Sequence, residues 1–310
     1  MTDQIEEDAP LVTVIVATYN RSVTLRWTIE SVLRQDFENF ELLIIGDACT
    51  DDTADVVASF DDPRIQWINL PVNSGSQTGP NNEGLRRARG KYIAYVGHDD
   101  LWFPWRLSGM VEALETSGDD FVHGLVALLA PEGLRGLAGA PTVGQSYGTF
   151  TVPPSGWLHR REVRDKIGEW ADPATLTRAI DVEYIGRAHQ AGLKVRHLPE
   201  LSVLKWPSPW WRMYALDTEY PQAEFAALLR EDPRAAYDVV MRLAAVRLSR
   251  EWSPKISVGA AALQMTRSVQ HVFGASLLWN RWPLNAIAKR RAAYYRRQRR
   301  RDRGLGQPPR

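Results

Sequence analysis

Cysteine is almost missing from this 310-residue chain, with Cys49 the single one. That excludes an internal disulfide framework and any cysteine-based zinc site, and it fits a reducing compartment. Taken alone, Cys49 reads as a small packing residue. Positive charge followed by an apolar run is lacking from the opening MTDQIEEDAP, which carries acidic residues instead, so secretion is not expected. Long hydrophobic runs are lacking as well. Val258 to Leu263 and Val272 to Trp279 are separated by Gln264, Arg267 and Gln270, so neither approaches the roughly 20 apolar residues of a membrane span. A cytoplasmic protein, soluble or peripheral at the inner face of the membrane, is expected. The six histidines, His98, His123, His159, His189, His197 and His271, form no H-x-x-x-H pair, which argues against a zinc enzyme.

What the chain does have is apolar content and alternating elements. At 44% hydrophobic residues it can bury a substantial core. Leu11 to Ala17 (LVTVIVA) is a continuous β-branched run, the pattern of a strand buried on both faces of a parallel sheet. Leu25, Ile29, Val32 and Leu33 then recur at helical spacing. Glu41 to Ile45, Arg64 to Leu70 and Tyr92 to Val96 predict further strands, with helices over Thr53 to Phe60 and Asn81 to Ala88 between them. Strands alternating with helices imply right-handed βαβ units in a doubly wound, mostly parallel sheet flanked by helices. No G-x-G-x-x-G follows the first strand, whose successor is ATYNRS, so a dinucleotide dehydrogenase has no pyrophosphate cradle. Residues 131–156 are rich in Gly and Pro and predict an irregular loop or a short hairpin over the crevice. Beyond residue 210 the pattern turns helical, over Pro221 to Arg230, Arg234 to Ser249 and Ile256 to Trp279. The expected division is residues 1–210 as the α/β domain that carries the site and 211–310 as a helical extension ending in a basic tail.

Ligands of such sheets bind beyond the carboxyl ends of the strands. Tyr19, Asp47 and Asp99-Asp100 each follow a strand end, so residues far apart in sequence are expected to converge on one crevice. Adjacent carboxylates repel unless a cation neutralises them, which suits Asp99 and Asp100 to a hard divalent ion. The competing role for one of them is capping the helix near Leu101. His98 beside them reads as a polar turn residue. Asp47 can accept a hydrogen bond from a nucleobase or ribose, while Tyr19 offers a flat face to the base. Asp51, Asp52 and Thr53 read as helix caps. Asp181 and Glu183 open a helical stretch, and either can serve as a general base or simply favour the helix dipole.

In this order the motifs closely resemble glycosyltransferase family 2, the inverting family of the GT-A fold. VTVIVATYNR (Val12 to Arg21) looks like its opening strand and Tyr-Asn loop, and IIGDACTDDT (Ile44 to Thr53) like its strand ending in Asp-Asp-Gly-Ser-Thr-Asp, with Gly46 in place of the first Asp. NSGSQTGPNNEGLRRARGKYIAYVGHDDLW (Asn73 to Trp102) is similar to the series that ends in Asp-x-Asp-Asp-Leu-Trp. Within it, Pro80 and Asn81 replace Ala and Arg, and Gly97 replaces the first Asp of the metal motif. Gly168 to Val195 looks like the acceptor-side segment, with Ile180 in place of Glu before Asp181. The resemblance covers about residues 11–205.

It implies a transferase for nucleoside-diphosphate sugars, with UDP or dTDP donors favoured. The nucleotide would be held by Thr18, Tyr19, Asn20, Arg21, Asp47, Asn81 and Asp99. Mn²⁺ or Mg²⁺ would be held by Asp99 and Asp100, and Asp181, with Glu183 beside it, would supply the base. The acceptor would be a saccharide or a lipid-linked sugar in cell-surface polysaccharide or glycolipid synthesis. A membrane-spanning synthase of the same fold would need Gln-x-x-Arg-Trp, and Arg281-Trp282 lacks the Gln. The alternative is a non-catalytic nucleotide-sugar-binding or interaction protein of the same fold, given Gly46, Gly97 and Ile180.

Charge separates the tail from the rest. The net charge is +1, yet residues 281–310 hold 11 Arg or Lys against one Asp, which leaves residues 1–280 at about −9. With Tyr294, Tyr295, Trp279 and Trp282 nearby, that tail suits an anionic membrane surface. An acidic remainder argues against nucleic acid as a partner.

Overall fold

The computed structural model of the protein describes residues 9–211 and 220–252. The chain divides into two compact units, residues 1–241 and 242–310. Of the second, only the end of one helix lies among the described residues; the expected helix from Ile256 to Trp279 and the basic tail lie outside them.

The first unit is built on strands β1 (Val12–Thr18), β2 (Phe40–Gly46), β3 (Ile65–Asn69) and β4 (Tyr92–Gly97), all parallel. Period-two alternation sorts their side chains into two cores. Val12, Val14, Val16, Leu42, Ile44, Tyr92, Ala94 and Val96 face one way. Ile15, Leu43, Ile45, Ile93 and Tyr95 face the other. The first core is closed by α1 (Ser22–Leu33) and α4 (Arg106–Ser117). The second is closed by α3 (Thr78–Arg87), α5 (Val163–Ile167) and α6 (Ile180–Gln190). Both faces of the sheet are thus covered, as the unbroken apolar runs require. Each buried Val, Ile or Leu side chain contributes roughly 1.5–3 kcal/mol. α3 lies so close to β1 that a Cβ on Gly84 would stand 2.6 Å from Cγ2 of Ile15. This helix begins at Thr78, earlier than the Asn81 expected, because Pro80 is tolerated within a first turn.

Beyond β4 the sheet becomes mixed. β5 (Leu101–Trp102), β6 (Phe121–Ala130), β7 (Gly133–Ala138), β8 (Trp157–Arg160) and β9 (Val195–Lys205) complete nine strands among the described residues. Their order is β3-β2-β1-β4-β8-β6-β9-β5, with β7 on β6. The chain leaves β1 for β2 on one side and later returns to its other side as β4. That reversal is the switch point, and the loops after β1, β2 and β4 share one edge. The Gly- and Pro-rich stretch is part hairpin, β6 to β7, and part irregular loop over residues 139–153. The loop is seated on α6: Arg178 Nη1 donates to the Gly148 carbonyl at 3.1 Å, and the Cα atoms of Gly148 and Gly186 leave no space for a side chain between them.

The boundary expected at residue 210 falls later, because residues 220–241 are part of the first unit. In α8 (Gln222–Glu231), Gln222 is buried and donates to the Asp99 carbonyl at 3.3 Å, Phe225 meets Trp206 edge-on, and Arg230 pairs with Glu30 at 2.8 Å. α7 (Ser208–Trp211) and α9 (Pro233–Trp252) flank it in sequence. Tyr237 of α9 packs against Phe103 and Trp105. These apolar and ionic contacts outweigh the change in sequence pattern on which the earlier boundary rested. No described helix is long and apolar enough to cross a membrane.

Candidate functional site

The crevice at the switch point starts with two stapled loops. Asn20 adopts the left-handed conformation, φ 46°, that short polar side chains tolerate. Its Oδ1 accepts from the Thr50 amide at 2.8 Å and its Nδ2 donates to Thr50 Oγ1 at 3.3 Å. Asp51 accepts from the amide of Ser22 at 3.4 Å and from Thr53 Oγ1 at 2.5 Å, so it joins the starts of α1 and α2 (Thr53–Ala58). Asp52 occupies the N-cap of α2 without a side-chain capping bond. Cys49 is half-buried, its thiol 3.7 Å from the Thr18 carbonyl and pushed up by burial, in line with a packing role. Tyr19 is half-buried at the mouth, and Arg21 is buried at the start of α1.

Asp47 is buried at the end of β2, its amide bonded to the Thr18 carbonyl at 2.8 Å. Its Oδ1 accepts from the Ser74 amide at 2.7 Å, and Asn73 Nδ2 donates to its carbonyl at 2.7 Å. Asp47 therefore also shapes the loop before α3, a duty beyond the base recognition expected of it. Asn81 is buried in that helix.

Asp99 and Asp100 follow β4, and they differ. Asp99 Oδ2 accepts one bond, from Ser208 Oγ at 3.2 Å, and no described residue donates to its Oδ1. Asp100 is fully buried; its Oδ2 accepts from Ser155 Oγ at 2.5 Å and from Lys205 Nζ at 2.7 Å, while its Oδ1 is buried with no hydrogen-bond partner among the described residues. Burial raises the Asp100 carboxyl, Lys205 pulls it back, and Asp99 adds a further upward push. The ion pair ties β4 to the end of β9, a structural duty additional to the metal ligation expected of Asp100. Both carboxylates crowd the Cα of Gly97: a Cβ there would lie 2.8 Å from Asp100 Oδ2 and 3.2 Å from Asp99 Oδ1. The position that carries the family's first Asp thus has no room for a side chain in this chain.

Asp181 and Glu183 diverge. Glu183 is held by Arg187 through bonds of 2.7 and 3.0 Å, and Arg187 also donates to the carbonyls of Glu169 and Ile167. Both oxygens of the Glu183 carboxylate rest on one guanidinium, so Glu183 braces α6, a duty beyond the base role expected of it. Asp181 acts instead on Lys205. Burial lowers the proton affinity of Lys205, but Asp100, Asp99 and Asp181 more than offset it, and the ammonium is held above its ordinary value. One cation thus feels carboxylates from two regions about 80 residues apart in sequence.

Lys205, Ser155, Ser208 and Gln222 complete this end of the crevice and went unnoticed in the sequence. The signal for Lys205 was present in Leu201 to Leu204, a mostly apolar run that ends on a charge as strand ends at sheet crevices do. Asp47 stands two strands from β4, and at about 4.8 Å per strand that is roughly 10 Å, the scale of a nucleoside diphosphate.

Residues 13–129 match the family described as Glycosyl transferase family 2. An Escherichia coli relative, the UDP-Glc:alpha-D-GlcNAc-diphosphoundecaprenol beta-1,3-glucosyltransferase WfaP, is 38% identical over 34% of this chain and 42% of its own length. The chain thus spans less than half of that relative. The S. aureus TarS 1-349 structure in complex with UDP-GlcNAc aligns with a TM-score of 0.56 at 17% identity, over 96% of this chain and 93% of that one. The mannosyltransferase PcManGT from Pyrobaculum calidifontis, in complex with GDP-Man and Mn2+, aligns at 0.52 and 18% identity, over 93% and 88%. These likenesses extend the GT-A architecture beyond the matched segment. With strand order, crevice and sequence match in agreement, residues 13–129 of this chain are similar to glycosyl transferase family 2.

Proposed function

We infer that the protein transfers a sugar from a nucleoside-diphosphate sugar to an acceptor hydroxyl with inversion, and that UDP or dTDP is the nucleotide. The observation that carries this reading is the placement of Asp99 and Asp100, the latter bonded to Lys205 at 2.7 Å, at the carboxyl edge of the sheet, with Asp47 two strands away. Tyr19, Asn20, Arg21, Asp47 and Asn81 would bind the nucleoside. Asp181 would accept the proton of the acceptor hydroxyl while that oxygen attacks the anomeric carbon; the bond from that carbon to the phosphate oxygen breaks, and the diphosphate leaves.

A divalent ion fits the oxygen donors at hand. Asp99 Oδ1 receives no donor from a described residue, Asp100 Oδ1 is buried without a partner, and both are the hard ligands that Mg²⁺ or Mn²⁺ prefers. No described group of three or more His, Cys, Asp or Glu could hold a metal by itself, so oxygens of the donor would complete the shell. When bound, the ion supplies charge for the departing diphosphate.

The acceptor we infer is a saccharide or lipid-linked sugar of surface polysaccharide or glycolipid synthesis, in keeping with the diphosphoundecaprenol named for the Escherichia coli relative. The basic tail, residues 287–310, would hold the protein on an anionic membrane. Liposome sedimentation unchanged by its deletion would remove that part. Incubating purified protein with UDP- and dTDP-sugars in Mn²⁺ tests the whole: release of nucleoside diphosphate is expected. Binding without any turnover, in the presence of acceptor glycolipids, would instead mark a non-catalytic sugar-nucleotide protein.

A further inference from the structure

One charged side chain of the crevice has no duty in the chemistry above. Lys205 ends β9, and the antiparallel pairing of Leu101 with Leu204 sets it beside Asp100. Its ammonium carries three donors, and the bond to Asp100 Oδ2 at 2.7 Å occupies one of them. The side chain keeps 25% of its area exposed, although Asp100 is buried. Asp99 and Asp100 stand side by side after β4, and a diphosphate entering beside them meets repulsion unless positive charge faces it.

Resting on the donor-site reading, we propose that Lys205 is a built-in cation of the donor site: while tethered to Asp100, its ammonium donates a second hydrogen bond to the pyrophosphate of the bound nucleotide. Part of the nucleotide affinity is then independent of the metal. Asp100 and Ser155 act as positioning residues that aim the lysine, and the Thr28 hydroxyl, which donates to the Asp100 carbonyl at 2.9 Å, fixes the turn beneath them. Lysine suits this role because a compact ammonium can face two anions at once.

The test is titration calorimetry of the full chain with UDP, dTDP, GDP and ADP, in excess Mn²⁺ and in excess EDTA. Wild type is expected to bind one of them in EDTA, more weakly than in Mn²⁺. Lys205→Met should lower that EDTA affinity about ten- to one-hundredfold, the loss of one charge-assisted bond, whereas Lys205→Arg keeps most of it. Because Lys205→Met strands Asp100, the double variant Asp100→Asn/Lys205→Met, which leaves a neutral pair, serves as the folded control and should show the same loss. EDTA affinity equal to wild type in the folded double variant would overturn the proposal, as would wild-type binding that vanishes in EDTA but persists in Mn²⁺. The latter outcome leaves the donor reading standing. Failure of every nucleotide under both conditions overturns the donor reading and the lysine assignment with it.

Discussion

Neighbouring carboxylates with unequal structural duties give a sharp mutational contrast. Asp100→Asn keeps the side-chain shape but removes the charge that pairs with Lys205, while Ser155 retains an oxygen to bond. Taking away one member of a buried pair costs about 3–5 kcal/mol. Lys205 keeps 25% of its side-chain area in solvent, so water relieves part of that cost and about 2–3 kcal/mol is expected. For a domain of this size, roughly 2–4 °C of Tm accompanies each kcal/mol, which gives a drop of about 5–10 °C. Asp99→Asn loses far less stability, because its Oδ2 holds a single bond, from Ser208 at 3.2 Å, that an amide oxygen can still accept. Its Tm should shift by less than about 3 °C, yet Mn²⁺-dependent nucleotide affinity should fall. Thermal melts followed by circular dichroism without ligand, and calorimetry with UDP and Mn²⁺, measure the two effects separately. If Asp100→Asn melts with wild type, or Asp99→Asn is equally destabilised, the assignment of structural and functional carboxylates is wrong.

Other outcomes follow from the same contacts. Gly186→Ala forces a Cβ to 2.7 Å from Cα of Gly148; about 1–3 kcal/mol of stability should be lost, and residues 139–153 should become more sensitive to protease, which limited digestion reads. Glu183→Gln weakens a partly exposed bridge and should cost under about 1 kcal/mol, with transfer reduced but retained. His123 and His159 are fully buried, and burial lowers their pKa to about 3 and about 4. Between pH 6.5 and about 4 the unfolded chain takes up protons there and the native chain does not, so stability falls as pH drops through that window. At pH 5 the loss is about 2 kcal/mol for each histidine. Denaturant melts at pH 7 and 5 test this, and His159→Phe, which keeps the stacking on Phe121, should remove about half of the pH sensitivity.

The parallel half of the fold was legible because β1, β2 and β4 are buried on both faces, and such strands are written as unbroken apolar runs. The mixed half was not. β9 begins Val195-Arg196-His197-Leu198-Pro199-Glu200 with little burial and becomes buried only from Leu201, so its early residues resemble a loop. Of the site, the strand-end positions of Tyr19, Asp47 and Asp99 were readable, since parallel register brings such ends together. Two duties were hidden. Arg187, one helical turn after Glu183, was a visible partner for it, but the carbonyls of Ile167 and Glu169 that complete the brace come from another segment. Lys205 meets Asp100 only through β5 pairing with β9, a contact spanning about a hundred residues that no local pattern announces.

In the proposed mechanism, catalysis, as opposed to binding alone, rests on Asp181. Transfer by purified Asp181→Asn, measured alongside its UDP affinity with the donor and acceptor that wild type turns over, should fall below about one-hundredth of wild type, the scale of a lost general base, while Kd stays within about threefold. Turnover equal to wild type in this variant would contradict the proposed mechanism.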